Sequence, residues 1–183
     1  MAPRVLVPIA PGSEEMEAIT IVDILRRAEI DCTLAGTVEG AITCSRGTVV
    51  LPDTTLEAVK DETFDLIALP GGLPGTTNLD ADPRIHAMLQ RMVAMGKFTT
   101  AICAAPTILA NAGILQGKKA TSYPAFLDKL QGAETVPTNG VVCDGKVITS
   151  TGPGTSLDFA LTLVEVLVGQ EKRQTLEQSL MRP

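Results

Sequence analysis

Short apolar runs alternate along this chain with segments whose apolar residues recur at helical spacing. Arg4–Ala10 is the first run and reads as a buried strand. Pro11-Gly12-Ser13 interrupts it, and Ser13 is a suitable N-cap for a helix. Beyond it Ala18, Ile21, Val22, Leu25 and Ala28 form one apolar stripe, which predicts that helix to be amphipathic. Asp31–Gly36 predicts a second strand. Ala41–Leu51, broken at Arg46-Gly47, predicts a hairpin or a pair of short edge strands. Phe64–Leu69 is another strand, stopped by Pro70-Gly71-Gly72. Asp82 and Pro83 are placed as N-cap and first residue of a helix. Its core face carries Ile85, Met88, Leu89, Met92 and Met95, and Gly96 ends it.

Phe98–Ile102 predicts a further strand, with Cys103 directly after it and a helix of small residues running to Gly113. A short strand near Ala120–Ser122 precedes Tyr123-Pro124. Two β runs within Val141–Ser150 meet at Asp144-Gly145. The loop Thr151–Thr155 leads into a long helix, Ser156–Val168, and Gly169 separates it from a helical tail. Strands alternating with amphipathic helices predict an α/β fold, a mostly parallel sheet with helices on both faces. No linker, repeat or low-complexity tract divides the 183 residues, so one domain over 1–183 is expected.

Composition narrows the chemistry. Lys and Arg total 15 against 21 Asp and Glu, a net charge of −6 that disfavours a nucleic-acid backbone as partner. One Tyr, four Phe and no Trp are too few for a base-stacking platform. The single histidine, His86, removes zincins and two-His zinc fingers. The four cysteines, Cys32, Cys44, Cys103 and Cys143, form no C-x-x-C pair and read as free thiols of a reducing, cytoplasmic setting. The first ten residues are too short and too soon broken by Pro8 for a signal peptide, and no apolar run approaches the ~18 residues that span a bilayer. No metal and no organic cofactor is expected.

In a sheet of this kind ligands bind at the carboxyl ends of the strands. Gly12–Glu17, Pro70–Gly72, Ala101–Pro106 and Thr151–Thr155 fall there, and none carries a nucleotide fingerprint. Cys103 sits between strand and helix, as the serine of a nucleophile elbow does. A helix N-terminus there would favour thiolate, although a buried structural cysteine fits the position equally. Glu14 and Glu15 are explained by the helix dipole. Glu17 precedes Ile21, Ile24 and Ala28 at helical spacing, which places a carboxylate on the apolar face, where burial would raise its pKa; a solvated first-turn glutamate is the other reading. His86 shares a polar helix face with Gln90 and reads as a surface residue, which leaves Glu17 as the partner for Cys103. Cys32 reads as core, Cys44 as exposed at a turn, where it could oxidise or meet a second copy, and Cys143 carries no signal. Tyr123 borders the site.

The segments Gly12-Ser-Glu-Glu-Met-Glu17, Leu69-Pro-Gly-Gly72, Ala101-Ile-Cys-Ala-Ala-Pro106 and Thr149-Ser-Thr-Gly-Pro-Gly-Thr155 occur in the order seen in the ThiJ/PfpI superfamily. Together with Cys44-Ser-Arg46 they make the chain most similar to the branch of the parkinsonism-associated deglycase and bacterial YajL. The resemblance covers nearly the whole chain. It implies a flavodoxin-like three-layer sandwich and a homodimer. It implies that Cys103 is the reactive nucleophile, Glu17 a protonated glutamate bonded to it, and Gly72 and Ala104 the donors of an oxyanion site, with Gly152 and Pro153 at the border. It implies cofactor-free deglycase or glyoxalase activity on methylglyoxal, glyoxal and their early adducts, or chaperoning and redox sensing through an oxidised cysteine. Many members have histidine where this chain has Tyr123, which makes proteolysis and glutamine hydrolysis poor expectations.

Overall fold

The apolar runs of the sequence assemble into one seven-stranded sheet with helices against both faces. The computed structural model describes residues 2–182. In chain order come β1 (Arg4–Ile9), α1 (Glu15–Arg27), β2 (Asp31–Gly36), β3 (Ile42–Thr43), β4 (Val49–Val50), β5 (Thr54–Thr55) and α2 (Leu56–Val59). β6 (Leu66–Leu69), α3 (Gly75–Asp80), α4 (Pro83–Ala94), β7 (Phe98–Ile102) and α5 (Pro106–Asn111) come next. The chain continues with β8 (Lys119–Ala120), a 3-10 turn (Pro124–Lys129), β9 (Glu134–Thr135), β10 (Val141–Asp144) and β11 (Val147–Ser150). A second 3-10 turn (Pro153–Thr155), α6 (Ser156–Val168) and α7 (Gln170–Ser179) close it.

The strand order is β10-β11-β7-β6-β1-β2-β5, parallel throughout except for the antiparallel β10–β11 hairpin at one edge. β1 is buried on both faces. Val5, Val7 and Ile9 point into a core shared with α1 and α6, and Leu6 points into the opposite core with α4 and α5. From β1 the chain moves outward to β2 and then returns to β6 on the other side of β1. That reversal opens a crevice outside the carboxyl ends of β1 and β6, where such sheets bind ligands.

Most boundaries agree with the sequence pattern, and the differences have local causes. Ser13 is not the cap of α1: its hydroxyl accepts from the Ala10 N–H at 3.1 Å, and Glu14 caps the helix by accepting from the Glu17 N–H at 2.7 Å. Met95 is exposed, because α4 ends at Ala94 and the chain turns outward into Gly96 at φ +65°. Cys44 is buried rather than exposed, since β3 and β4 fold as a hairpin onto α1 and carry the thiol into the core. At the other hairpin Asp144 still pairs with Val147, so the turn is Gly145-Lys146. The Phe64 run enters the sheet only at Leu66. The two-residue strands and the short helices α2 and α3 have too few positions to show a period.

Candidate functional site

Two loops, the one after β1 and the one after β6, meet above the crevice, tied by backbone hydrogen bonds. The Glu14 N–H donates to Gly71 O at 2.9 Å, and the Gly75 N–H donates to Gly12 O at 3.0 Å. The close approach demands glycine: a Cβ on Gly75 would lie 2.3 Å from Ser13 Cα, and one on Gly72, at φ +88°, would lie 2.4 Å from Glu14 N.

Cys103 stands at the carboxyl end of β7 with φ +64°, a left-handed conformation that costs a non-glycine residue about 1–2 kcal/mol. Two backbone bonds hold it there, its N–H donating to Ser150 O at 3.0 Å and its carbonyl accepting from the Tyr123 N–H at 2.8 Å. The turn lifts the thiol off the strand, half-buried, toward the crevice. Strain retained on a residue with a reactive side chain marks a functional position.

Glu17 is fully buried on the first turn of α1. Its Oε2 accepts from the Gly71 N–H at 2.7 Å. Oε1 has no hydrogen-bond partner of good geometry, and the Cys103 thiol is the polar neighbour of the carboxyl. Burial pushes Glu17 up to about 7, against the pull of the Gly71 amide and the thiol. Burial and an ionised Glu17 push the Cys103 thiol up to about 12, while the N–H groups of Gly72 and Ala104, both facing the sulfur, pull it down. The thiolate-favouring groups are thus these two amides, and α5, only six residues long with its N-cap at Ala105, adds little of the helix-dipole effect expected from the sequence. The two groups compete for one proton, and placing it on Glu17 removes the charge that opposes the thiolate and supplies an O–H donor to it. Charge is better tolerated on the half-buried sulfur, with two amide donors, than on the fully buried carboxyl with one.

A cavity of about 470 Å³ opens over the thiol, within the range that holds small ligands. Gly72, Ala104, Tyr123 and Pro153 line it with Cys103, and Arg46 stands on its wall. Gly152 lies in an adjoining cavity that shares Tyr123 and Pro153. A larger cavity of about 660 Å³ lies near Thr37 and Arg84, but its wall carries no thiol, and Arg84 there is paired with Asp82 and Glu57. His86, on α4, is away from the Cys103 cavity wall and bonds Asp80 at the end of α3. Cys32 is core, and Cys143 is exposed on the edge strand β10. Among the described residues no group of three His, Cys, Asp or Glu side chains gathers as metal ligands, and no helix is long and apolar enough to cross a membrane.

The sequence pattern missed the role of Glu15. Rather than only complementing the helix dipole, its carboxylate accepts from Ser45 Oγ, Arg46 N and Thr48 N at 3.0–3.3 Å, and the backbone and hydroxyl donors lower its pKa to about 2. This anchor sets the β3–β4 turn, and with it Ser45 and Arg46, against the Cys103 cavity. Glu14, Phe126 and Leu73 complete the wall, and the last two carry no chemical signature in sequence.

The fold and site define a flavodoxin-like α/β protein with a cysteine elbow and a buried carboxyl at its topological switch point. A family model described as the DJ-1/PfpI family matches residues 3–166, and the chain belongs to that family. Protein dj-1beta of Drosophila melanogaster is 44% identical over 183 residues, covering 99% of this chain and 98% of that one. Its crystal structure superposes with a TM-score of 0.97, covering 100% of both chains. The glutathione-independent glyoxalase DJR-1.2 of Caenorhabditis elegans is 39% identical, covering 90% of this chain and 88% of its own. A structure described as Toxoplasma gondii DJ-1, oxidized, is 39% identical with a TM-score of 0.95, covering 99% of each chain.

Proposed function

We propose that this protein is a cofactor-free, thiol-dependent glyoxalase and deglycase acting on methylglyoxal, glyoxal and their early adducts. The observation that carries the reading is Cys103 held at φ +64° beside the buried Glu17, with the Gly72 and Ala104 amides facing its sulfur. A glyoxalase among the relatives supports it. The Cys103 thiolate adds to the aldehyde carbon of methylglyoxal, forming a C–S bond and an oxyanion that takes hydrogen bonds from the Gly72 and Ala104 N–H groups. Glu17 gives its proton to that oxygen, and the resulting carboxylate removes the C–H proton to form an enediolate. Return of the proton to the neighbouring carbon leaves a lactoyl thioester. Water cleaves it to lactate and restores the thiol, so the net change is addition of one water. With an amine adduct as substrate, the sulfur displaces the amine, which leaves with a proton, and the later steps are the same.

Tyr123 at the border, with His86 remote on α4, supplies no imidazole base and sets the reading apart from proteolysis and amide hydrolysis. The protein works as a single domain in the cytoplasm. Exposed Met16 and Ile19 on α1, and Val49 and Leu51 in the hairpin segment whose turn Glu15 holds, suit a homodimer contact. Incubation with methylglyoxal tests the chemistry: Cys103→Ser is expected to lower lactate formation by about 10³-fold or more, and equal rates in the two proteins would overturn it.

A second reading, redox-sensing chaperone action, is favoured by the oxidised state named for the Toxoplasma relative. Peroxide would convert the thiolate to sulfinate, held by protonated Glu17 and the two amides. Peptide mass spectrometry after mild peroxide is expected to find sulfinate at Cys103 first. Earlier oxidation of the exposed Cys143 would contradict this reading.

A further inference from the structure

Cleavage of a thioester by water needs a water molecule beside the acylated sulfur and a group that takes a proton from it. Glu17 does not stand on the wall of the Cys103 cavity. It is fully buried, its Oε2 is held by the Gly71 N–H at 2.7 Å, and its Oε1 is sealed from solvent. Glu17 therefore meets the sulfur, and the carbon the sulfur carries, from the closed side, while water arrives from the open one. On that wall Glu14 is the one carboxylate among the described residues, and no imidazole stands there. Arg46 has no lone pair to accept a proton. The Ser45 hydroxyl is engaged with Glu15 Oε2 at 3.0 Å.

Glu14 is also held in place. Its Oε2 accepts from the Glu17 N–H at 2.7 Å, and its own N–H donates to Gly71 O at 2.9 Å. Its backbone abuts an oxyanion donor, since a Cβ on Gly72 would lie 2.4 Å from Glu14 N. The other oxygen, Oε1, takes no hydrogen bond among the described residues and, unlike Glu17 Oε1, is not sealed from solvent. The N-terminus of α1, a helix of 13 residues, favours negative charge at this position.

We infer that Glu14 is the general base of the hydrolytic half-reaction, so that the two glutamates divide the chemistry, Glu17 serving the isomerisation and Glu14 the water. The inference rests on the proposed acyl chemistry at Cys103. Glu14 Oε1 takes a proton from water as the water oxygen bonds to the thioester carbon, and the oxyanion that forms takes hydrogen bonds from the Gly72 and Ala104 N–H groups. Collapse of this intermediate breaks the C–S bond. The proton on Glu14 passes to the departing sulfur and from there to Glu17, which the isomerisation leaves ionised. The second proton of the water goes to solvent as lactic acid ionises. One water is consumed, and both glutamates and the sulfur return to their starting states.

Loading the thioester by another route tests this without methylglyoxal. In full-length Cys143→Ser protein, p-nitrophenyl acetate acetylates Cys103: the C–S bond forms, the ester C–O bond breaks and nitrophenolate leaves. Loss of the acetyl group from Cys103 is then followed by peptide mass. Glu14→Gln keeps a carbonyl oxygen for the Glu17 N–H, so the cap of α1 is retained, and thermal unfolding confirms that the variant is folded. It is expected to take up acetyl as the parent does and to lose it to water about 10²-fold more slowly, the scale of a positioned base. Hydroxylamine attacks a thioester without a base, so it is expected to release acetyl from parent and variant at the same rate; a merely structural defect at the oxyanion donors would slow that release too. The deacylation defect is expected to be larger in Glu14→Gln than in Glu17→Gln. A Cys103 that takes no acetyl group, a parent acetyl-enzyme that water does not cleave, equal deacylation in parent and Glu14→Gln, a slowed hydroxylamine release, or the reverse order of the two glutamate variants would overturn the inference. With methylglyoxal, Glu14→Gln is expected to accumulate the lactoyl group on Cys103. Lactate is read separately, so its absence from the parent strikes the glyoxalase reading and leaves the deacylation rates interpretable.

Discussion

Glu17→Gln is expected to make the protein more stable above pH 7 while lowering turnover of methylglyoxal by about 10²–10⁴-fold, the usual contribution of a positioned acid–base group. The stability change comes from linkage. Burial raises Glu17 from 4.5 to about 7. Between those values the native state keeps a proton that the unfolded chain has lost, so the contribution of Glu17 to stability is fully present below pH 4.5 and declines as pH rises through about 7. Above that the Glu17–Cys103 pair carries one buried negative charge, which costs about 3 kcal/mol, at ~1.4 kcal/mol for each tenfold in acidity. Glutamine keeps an oxygen for the Gly71 N–H and cannot ionise. Denaturant unfolding across pH 4–9 should show the two proteins converging at the acid end, separating between pH 4.5 and about 7, and staying apart above that. Parallel curves, or an unstable variant at every pH, would show that Glu17 is not buried at the cost described. A residue whose removal stabilises the fold and abolishes the reaction is one retained for chemistry.

Gly71→Ala should damage the site through geometry alone. A Cβ there would lie 2.7 Å from Cys103 Cβ, 2.9 Å from Glu17 Oε2 and 3.0 Å from Ala104 N, so one methyl group presses on the carbon that carries the thiol, on the carboxyl and on an amide together. None of these atoms can withdraw freely, since Cys103 is pinned by Ser150 and Tyr123 and Glu17 is bonded to the Gly71 amide itself. The expected cost is about 1–3 kcal/mol of stability, as for overpacking elsewhere. Turnover should fall about 10²-fold, the scale of an ångström-sized misplacement. Unfolding midpoints and lactate assays at a fixed temperature measure both, and wild-type turnover in this variant would contradict the three-way contact.

The two residues at the centre of the proposal were legible for different reasons. Cys103 stood out because Phe98–Ile102 is an uninterrupted apolar run and the residues after it are small, so strand end and helix start could both be placed. Glu17 stood out because its stripe mates Ile21 and Ile24 bury it whether or not the helix begins one residue early. The cap of α1 was misread because Ser13 and Glu14 can both cap and only the tertiary bond to Ala10 N–H decides between them. Burial of Cys44 and the placement of Arg46 depend on Glu15 bridging about 30 positions of sequence, and no local pattern encodes that. The cavity walls Leu73 and Phe126 were invisible for the same reason. Their role comes from the loops they sit on, not from their chemistry.

The central claim is that at neutral pH a protonated Glu17 donates to a Cys103 thiolate, and the pH profile of Cys103 alkylation tests it most directly. With Cys143 replaced by serine and labelling read at Cys103 by peptide mass, the wild-type profile is expected to inflect below the ordinary thiol value of about 8.5. In Glu17→Gln, where a weaker amide donor replaces the carboxylic acid, the inflection should move upward. A wild-type inflection above the ordinary thiol range that falls when Glu17 is replaced would place the resting charge on the carboxylate and contradict the account.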